Sequence, residues 1–482
     1  MFKLKFMAVA AVMACGISAP AFAQGDGQLD EIRKQIEQLK TEYNKQIEAL
    51  EKRLKDAEQA AATAKEAATT AKETAAKAQT TAAAASQQVP PPSQARPNAF
   101  NPAISLILMG TYGNFKNDPT QYGITGFQPP GATSPGDRGF HLGESELFIS
   151  ANADQMFSGA INLAVTDEGV SAEEAYFQTL ALGHGLNLKG GRFFSAIGYQ
   201  NAIHAHAWDF ADTSLVQRAF LGDNYGDDGV QLTWVAPLPL FVEVGGELGR
   251  GRGLVGNFDL GSGGELSSND RNKNGAGAWS AFLHVGGDVG ESNSYRVGLS
   301  HLSTSTGTNS FSLADFDTRS SAASTFTNGQ VKLYGADFVW KWAPQGNYQY
   351  TTFKFIAEWF QIRRDGDLTF DPGGPGELTD RFTQKQSGWY AQAVYQFRTY
   401  WRVGLRYDQL QSGSFDGGMN AANLAVADYT PKRVSAMLDW SPSEFSRIRL
   451  QYNEDKSLQS LTDHQVLLQY ILSLGTHGAH KF

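Results

Sequence analysis

The chain of 482 residues has a single cysteine, Cys15, and it stands in a segment that reads as removable. Without Cys15 there is no thiol, which excludes disulfides, cysteine-ligated zinc and thiol catalysis. Long apolar runs are missing as well. Past the N-terminal segment nothing approaches the roughly 18–20 apolar residues of a membrane helix, so residence in a membrane requires a closed β-barrel. Positive charge is not in excess: 40 Lys and Arg against 49 Asp and Glu leave a net charge of −9, which disfavours nucleic acid as a partner. No nucleophile elbow or P-loop occurs, and the glycine-rich stretch 245–251 leads into no helix that would hold phosphate. No serine, histidine and carboxylate constellation stands out, so the chain reads as a non-enzyme.

What is present divides the chain. Residues 1–23 read as a secretory signal: Lys3 and Lys5, an apolar core from Phe6 to Ala14, and Ala21-Phe22-Ala23 as a small-x-small cleavage site. Lipidation of Cys15 is the rival reading of the same residues. Residues 24–88 read as a coiled-coil segment. Leu29, Ile32, Ile36, Leu39 and Tyr43 recur at steps of three and four, and Ile47, Leu50, Leu54 and Ala57 continue the stripe after a stutter. An amphipathic helix of this length needs partner helices, unless its alanine-rich half is a solvated spacer. Residues 89–102 are a proline-rich linker, stopped by Pro90-Pro91-Pro92 and held extended by Pro97 and Pro102.

From 103 to 482 one unit repeats, a strand-length alternating run followed by a turn. The runs fall at 103–114, 139–152, 158–166, 172–180, 186–193, 228–236, 240–249, 277–287, 294–303, 329–342, 348–363, 386–398, 401–411, 431–441, 445–455 and 464–474. Connections after even runs are short. Most after odd runs are long, among them 115–138, 194–227, 250–276, 304–328, 364–385 and 412–430. That segregation predicts an all-β transmembrane barrel of about 16 antiparallel strands, with a bore wide enough for water. In 445–455, Ile448, Leu450 and Tyr452 oppose Arg447, Arg449, Gln451 and Asn453; in 431–441 only Met437 breaks the polar face. Trp340, Trp342, Trp359, Tyr400, Trp401, Trp440 and Phe445 suit interfacial girdles.

The inward faces are charged unevenly. Arg402, Arg406, Arg433, Arg447 and Arg449 come from three late runs and predict a basic wall; Glu144, Glu146, Glu174, Glu243 and Glu247 come from early runs and predict an acidic side. Opposed walls set up a transverse field that tunes ion preference; mutual pairing is the plainer role. Connection 194–227 carries His204, His206, Trp208, Asp209, Asp212, Asp223 and Asp227. Two histidines at i and i+2 beside carboxylates suit zinc or another divalent ion, and a packed loop explains them equally. Asp270-Arg271-Asn272-Lys273-Asn274-Gly275 matches the opening half of a calcium loop, with Asp270, Asn272 and Asn274 as ligands. Ala281 stands where the bidentate glutamate belongs, and turn chemistry accounts for the same letters. No other cofactor is expected. His477 and His480 read as a polar tail before Phe482.

Glu173-Glu174-Ala175-Tyr176-Phe177, followed by Lys189-Gly190-Gly191-Arg192-Phe193, is similar to the strand pair before the third loop of phosphate-selective porins. The order of coiled coil, proline linker and barrel resembles Gram-negative outer-membrane porins, in particular the trimeric dicarboxylate-type porins with an N-terminal coiled coil. Residues 139–154, 173–180, 204–210 and 477–482 are similar to a poorly characterised proteobacterial barrel family sometimes labelled zinc-regulated or TonB-dependent receptors. His480 and Gly478 depart from the usual porin ending. The resemblance implies an outer-membrane homotrimer in contact with lipid, with its N-terminal segment in the periplasm; peptidoglycan becomes a partner in the tether reading, where the coiled coil reaches the cell wall. It implies passive diffusion of small hydrophilic, including anionic, solutes. It also implies a third loop, 194–227, that folds into the bore, with His204, His206, Asp209 and Asp212 in the constriction and its acids facing the arginine wall. A metal-linked zinc uptake protein and a tether from outer membrane to cell wall are the alternative expectations.

Overall fold

The computed structural model describes residues 102–127, 134–251, 274–305, 309–312, 323–424 and 428–475, and five helical positions ahead of them, Glu37, Lys40, Thr41, Glu48 and Lys55, all exposed. The chain divides into units 1–99 and 100–482. The signal segment, most of the coiled-coil run, the linker up to residue 101, Asp270, Asn272, His477, His480 and Phe482 lie outside the described residues.

Alternation of apolar and polar residues makes strands whose two faces meet lipid and lumen. They are β1 (Ala103–Phe115), β2 (Gly139–Leu142 continuing as Ser145–Asn152), β3 (Phe157–Thr166), β4 (Gly169–Thr179), β5 (Leu186–Phe194), β6 (Gly226–Val235), β7 (Phe241–Gly249), β8 (Ala278–Val289), β9 (Asn293–Ser305, extended by Asn309–Ser312), β10 (Ala323–Trp342), β11 (Thr352–Phe370), β12 (Leu378–Arg398), β13 (Trp401–Asp416), β14 (Lys432–Ser443), β15 (Ser446–Lys456) and β16 (Asp463–Gly475). Each pairs antiparallel with its sequence neighbours. β1 closes the ring against β16, from Ser105 opposite Gly475 to Phe115 opposite Gln465. Sixteen strands therefore close one barrel, as the repeat predicts.

The connections after β2, β4, β6, β8, β10, β12 and β14 are short, down to Thr399-Tyr400 between β12 and β13. The long connections gather at the opposite rim. One expectation fails here. Residues 364–385 are mostly strand, with β11 running to Phe370 and β12 starting at Leu378. The reason is a satellite core: Leu368 and Phe382 pack with Phe326 and Leu424, which holds the hairpin upright beyond the barrel wall. The expected single strand 139–152 is interrupted at Gly143 and Glu144, where the Gly143 N–H donates to the Met109 carbonyl.

Outward positions carry the large exposed apolar side chains, Leu299, Leu405, Leu450, Phe338, Trp340 and Trp440 among them. The interior departs from the expected wet bore. Val331, Leu333, Val339, Ile356, Phe360, Ile362, Tyr390 and Leu410 point inward from β10–β13 and pack against Tyr122, Ile124 and Phe127 of the first outer connection and against Ile197, Leu215, Val216, Phe220 and Leu221 of the third. Each fully buried Leu, Val or Phe contributes roughly 1.5–3 kcal/mol. The apolar set on the third connection alone therefore stabilises its seat by something on the order of 10 kcal/mol before ordering entropy.

Candidate functional site

The third outer connection, residues 195–225, enters the barrel and spans it, touching strands from β2 around to β15. It is closed on itself at its base. Asn201 donates to the carbonyls of Ser195 (2.8 Å) and Tyr225 (2.9 Å), and its side-chain oxygen accepts from the Tyr225 N–H at 2.6 Å. At the entry, Ser195 Oγ and the Ala196 N–H donate to Glu247 at 2.5 and 2.9 Å.

Next the chain crosses Glu358 on β11. That carboxylate accepts from the N–H groups of Tyr199 (2.5 Å) and Gln200 (3.3 Å), from Gln217 (3.1 Å) and from the Tyr390 hydroxyl (2.6 Å). Gly198 makes the crossing possible: its φ is +68°, and a Cβ there would stand 2.5 Å from a Glu358 oxygen. After two short 3-10 turns at Gln200–Ala202 and Ala205–Ala207, the loop forms one α-helix, α1 (Leu215–Leu221), capped by the Ser214 hydroxyl and ended by Gly222 at φ 64°. Every residue of α1 is buried.

Two acids of the loop meet the expected arginines. Asp212 accepts from Arg406 at 2.6 Å, Arg433 at 3.0 Å, Gln451 at 2.7 Å and Asn453 at 3.0 Å. Asp209 meets Lys354 at 2.6 Å, Arg402 at 3.4 Å and Gln392 at 3.1 Å. Burial pushes both carboxyls up, but the cations around them outweigh it: Lys354 and Arg402 hold Asp209 at about 2, and Arg433 with Arg406 holds Asp212 well below the carboxylate range. Arg406, Arg433 and Arg449 are at most 1% exposed. They do not present a basic wall to water, because they fasten the loop and the wall carboxylates Asp408 and Asp439. Arg402, which also pairs with Asp439, and Arg447 keep partial access to solvent.

On the opposite wall the expected acidic residues separate. Glu247 serves the loop entry, and Glu243 pairs with His284 at 2.8 Å. Glu146 and Glu174 join Glu173 around the loop histidines. His204 Nε2 lies 3.0 Å from Glu174, and its Nδ1 lies 3.3 Å from Glu173 and 3.4 Å from Glu146; His206 Nδ1 lies 2.5 Å from Glu146. Glu144 lies within electrostatic reach of Glu146, Glu173 and His204. Burial lowers the His204 pKa, but its hydrogen bonds to Glu173 and Glu174 and the nearby charges of Glu146 and Glu174 reverse this and raise it well above the usual histidine value. Asn274 is exposed, outside this assembly. The sequence reading missed Glu358, Asp408, Asp439, Lys354 and Glu173. Glu358 carried a signal, as a lone acid between Ile356 and Phe360 on an inward face.

The raised His204 pKa has a definite sign. The latch it forms contributes fully below the unfolded value of about 6.5 and is lost as pH rises through the folded value. Proteolytic cleavage within residues 195–225, followed as pH is raised from about 6.5, is expected to grow with pH as the latch is lost. In His204→Ala that pH dependence is expected to flatten.

Below the loop, toward the short-turn rim, lies a cavity of about 990 Å³. Lys341, Lys354, Arg402 and Arg447 line it, against Asp209 and Glu444 as the acids.

No protein-family model matches the chain. It is 32% identical over 416 residues to an uncharacterised protein of Aquifex aeolicus (strain VF5), covering 82% of each chain. The chain belongs to that protein's family. Solved barrels align with this family member at the level of fold alone. They include OmpT of Vibrio cholerae (8% identity, 78% of this chain, 98% of that one, TM-score 0.48), the outer membrane channel DcaP of Acinetobacter baumannii (12%, 78% and 97%, 0.47) and the anion-selective porin of Comamonas acidovorans (11%, 78% and 100%, 0.45).

Proposed function

We propose that this barrel is an outer-membrane channel for the passive diffusion of small hydrophilic, preferentially anionic solutes, assembled as a homotrimer, with residues 195–225 as its constriction. The short-turn rim then faces the periplasm. The observation that carries the reading is the cavity of about 990 Å³ under the loop, where four cations stand against two acids. A mouth of this sign concentrates anions at the narrowest path. The porin resemblance of the sequence and the solved anion-selective porin that shares the fold support the same reading. The test is reconstitution of the purified full chain in planar bilayers under a salt gradient. Discrete conductance steps with an anion-selective reversal potential are expected, and a folded protein that passes no current rules the channel out.

A second reading, cation capture beside the loop, is favoured by one cluster. Glu146, Glu173 and His204 offer ligand atoms within 4.8 Å of one another. The Asn162 side-chain nitrogen sits among them, 2.8 Å from Glu146, 3.1 Å from Glu173 and 3.1 Å from His204, the place an ion would take. Glu174 at the far nitrogen of His204 occupies the place of an orienting carboxylate. The donor set fits zinc or another divalent ion. Such an ion would be held by Glu146, Glu173 and His204, and would pin the loop to β2 and β4. Calorimetric titration of the full chain with zinc tests it. Saturable binding is expected, weakened about 10–100-fold in Glu174→Gln; absence of binding heat in the native protein removes the reading.

A further inference from the structure

Three basic residues stand in one row across adjacent strands on the outer face of the barrel. Lys332 on β10 lies directly opposite Arg363 on β11, and Arg363 lies directly opposite Lys385 on β12. Their strand neighbours Val331, Leu333, Ile362 and Gln386 are buried in the lumen, so alternation turns the three basic side chains outward. Arg363 and Lys385 are exposed and Lys332 is half-buried. Among the described residues none of the three forms an ion pair. The nearest acid on that face, Asp365, is engaged by Arg381. Like charges directly opposite one another destabilise a sheet, so the row is an arrangement that an anion would relieve.

Its height decides which anion. Reading outward from the short-turn rim, the same face carries Trp342 opposite Phe353 and Tyr395, then Trp340 with Phe355, then Phe338, then Trp359 opposite Trp389. A polar row of Tyr334, Gln361 and Ser387 follows, and the basic row comes after it. Ten residues separate Phe353 from Arg363, about 26 Å along the membrane normal at about 3.4 Å per residue and a tilt of about 40°. An outward apolar band is about 25 Å tall. The basic row therefore sits where the hydrocarbon ends and the outer headgroups begin. A cleft of about 460 Å³ opens there, lined by the cations Lys332, Arg363, Arg364 and Lys385, the hydroxyls of Thr383 and Ser414, and two acids, Asp416 and the Asp365 that Arg381 engages. Two hydroxyls beside the three outward cations suit phosphate oxygens.

We infer that Lys332, Arg363 and Lys385 form a docking site for the phosphate of an anionic lipid in the outer leaflet. The inference rests on the membrane-barrel reading and not on conduction. The lipid's acyl chains lie along Trp359 and Trp389 while its phosphate bridges the three cations. Occupancy neutralises the row and ties β10, β11 and β12 together at the level where they leave the bilayer.

The test uses the full chain in detergent, followed by native mass spectrometry and thermal melting, with diphosphoryl lipid A and inorganic phosphate as separate probes. The native protein is expected to retain diphosphoryl lipid A and to melt at a higher temperature with it. The variant carrying Lys332→Gln, Arg363→Gln and Lys385→Gln is expected to bind it on the order of a hundredfold more weakly, about fivefold per neutralised charge. Without lipid that variant is expected to melt no lower than the native chain, because repulsion is removed, and its conductance should be unchanged. Equal retention of lipid A by native and variant protein overturns the inference. So does inorganic phosphate that competes at the same concentration as lipid A, which would make the cleft a site for small anions. A native protein that binds lipid A but passes no current fails the channel reading alone.

Discussion

Asp212→Ala is expected to release the constriction loop and convert the channel to a larger, noisier pore. In the native chain Asp212 is the shared partner of Arg406 and Arg433, both fully buried, and of Gln451 and Asn453. Removing it leaves two guanidinium groups in a low-dielectric interior, with Asp408 to divide between them. Breaking a buried pair by deleting one partner costs about 3–5 kcal/mol. That shifts the balance between seated and displaced loop by a factor on the order of 10² to 10³. The cost falls on the loop and not on the barrel, whose strands stay paired around the whole ring. Single-channel conductance measures it: long-lived openings above the native level are expected, with unchanged barrel mobility on unheated gels. Native-like conductance in Asp212→Ala would mean that the apolar seat alone holds the loop.

The double variant Lys341→Glu and Arg447→Glu is expected to reverse the sign of selectivity. Both residues line the cavity under the loop. The Arg447 side chain is 27% exposed, and its nearest acid Asp439 also has Arg402 and Arg449. The exchange therefore leaves that carboxylate paired. It changes the mouth by four units of charge. Each acts on an ion at about 8 Å through water with about 0.5 kcal/mol before screening, which in sum shifts the permeability ratio by roughly tenfold at ordinary ionic strength. The reversal potential under a salt gradient is expected to change sign. A potential that keeps its sign would place the selective step elsewhere, at the long-loop rim or at the histidine cluster.

Much of this was legible in the residues, for reasons that can be named. Period-two alternation and the segregation of loop lengths are local properties, so the strand order and the closed barrel followed from them directly, while the entry of the third loop into the bore was expected only from the porin resemblance. The conflict between that loop's acids and the late arginines was legible in outline, because unlike charges on one lumen have few other partners. Which oxygen meets which guanidinium was not. Register across β13, β14 and β15 brings Arg406, Arg433 and Gln451 to one point, and no single strand encodes that. Two irregularities of the alternation fit the packed interior, although the sequence reading expected a water-filled bore. Met437, the one apolar residue on the polar face of β14, packs with Phe210 of the loop and Val394. β11 is apolar on both faces, with Ile356, Phe360 and Ile362 inward and Phe355 and Trp359 outward. A strand facing only water on its inner side has no use for such a pattern. The upright hairpin of β11 and β12 was read as loop because Gly and Asp crowd its tip, while the core that holds it, Phe326 and Leu424, comes from other connections.

The loop is attached to β2–β4 on one side of the junction between β1 and β16, to β11–β15 on the other, and to β7, β9 and β10 between them. These attachments include contacts between residues 239 and 241 positions apart. Contacts so distant in sequence make assembly slow. They also make the loop an internal strut, tied to walls on both sides of the junction where the ring closes.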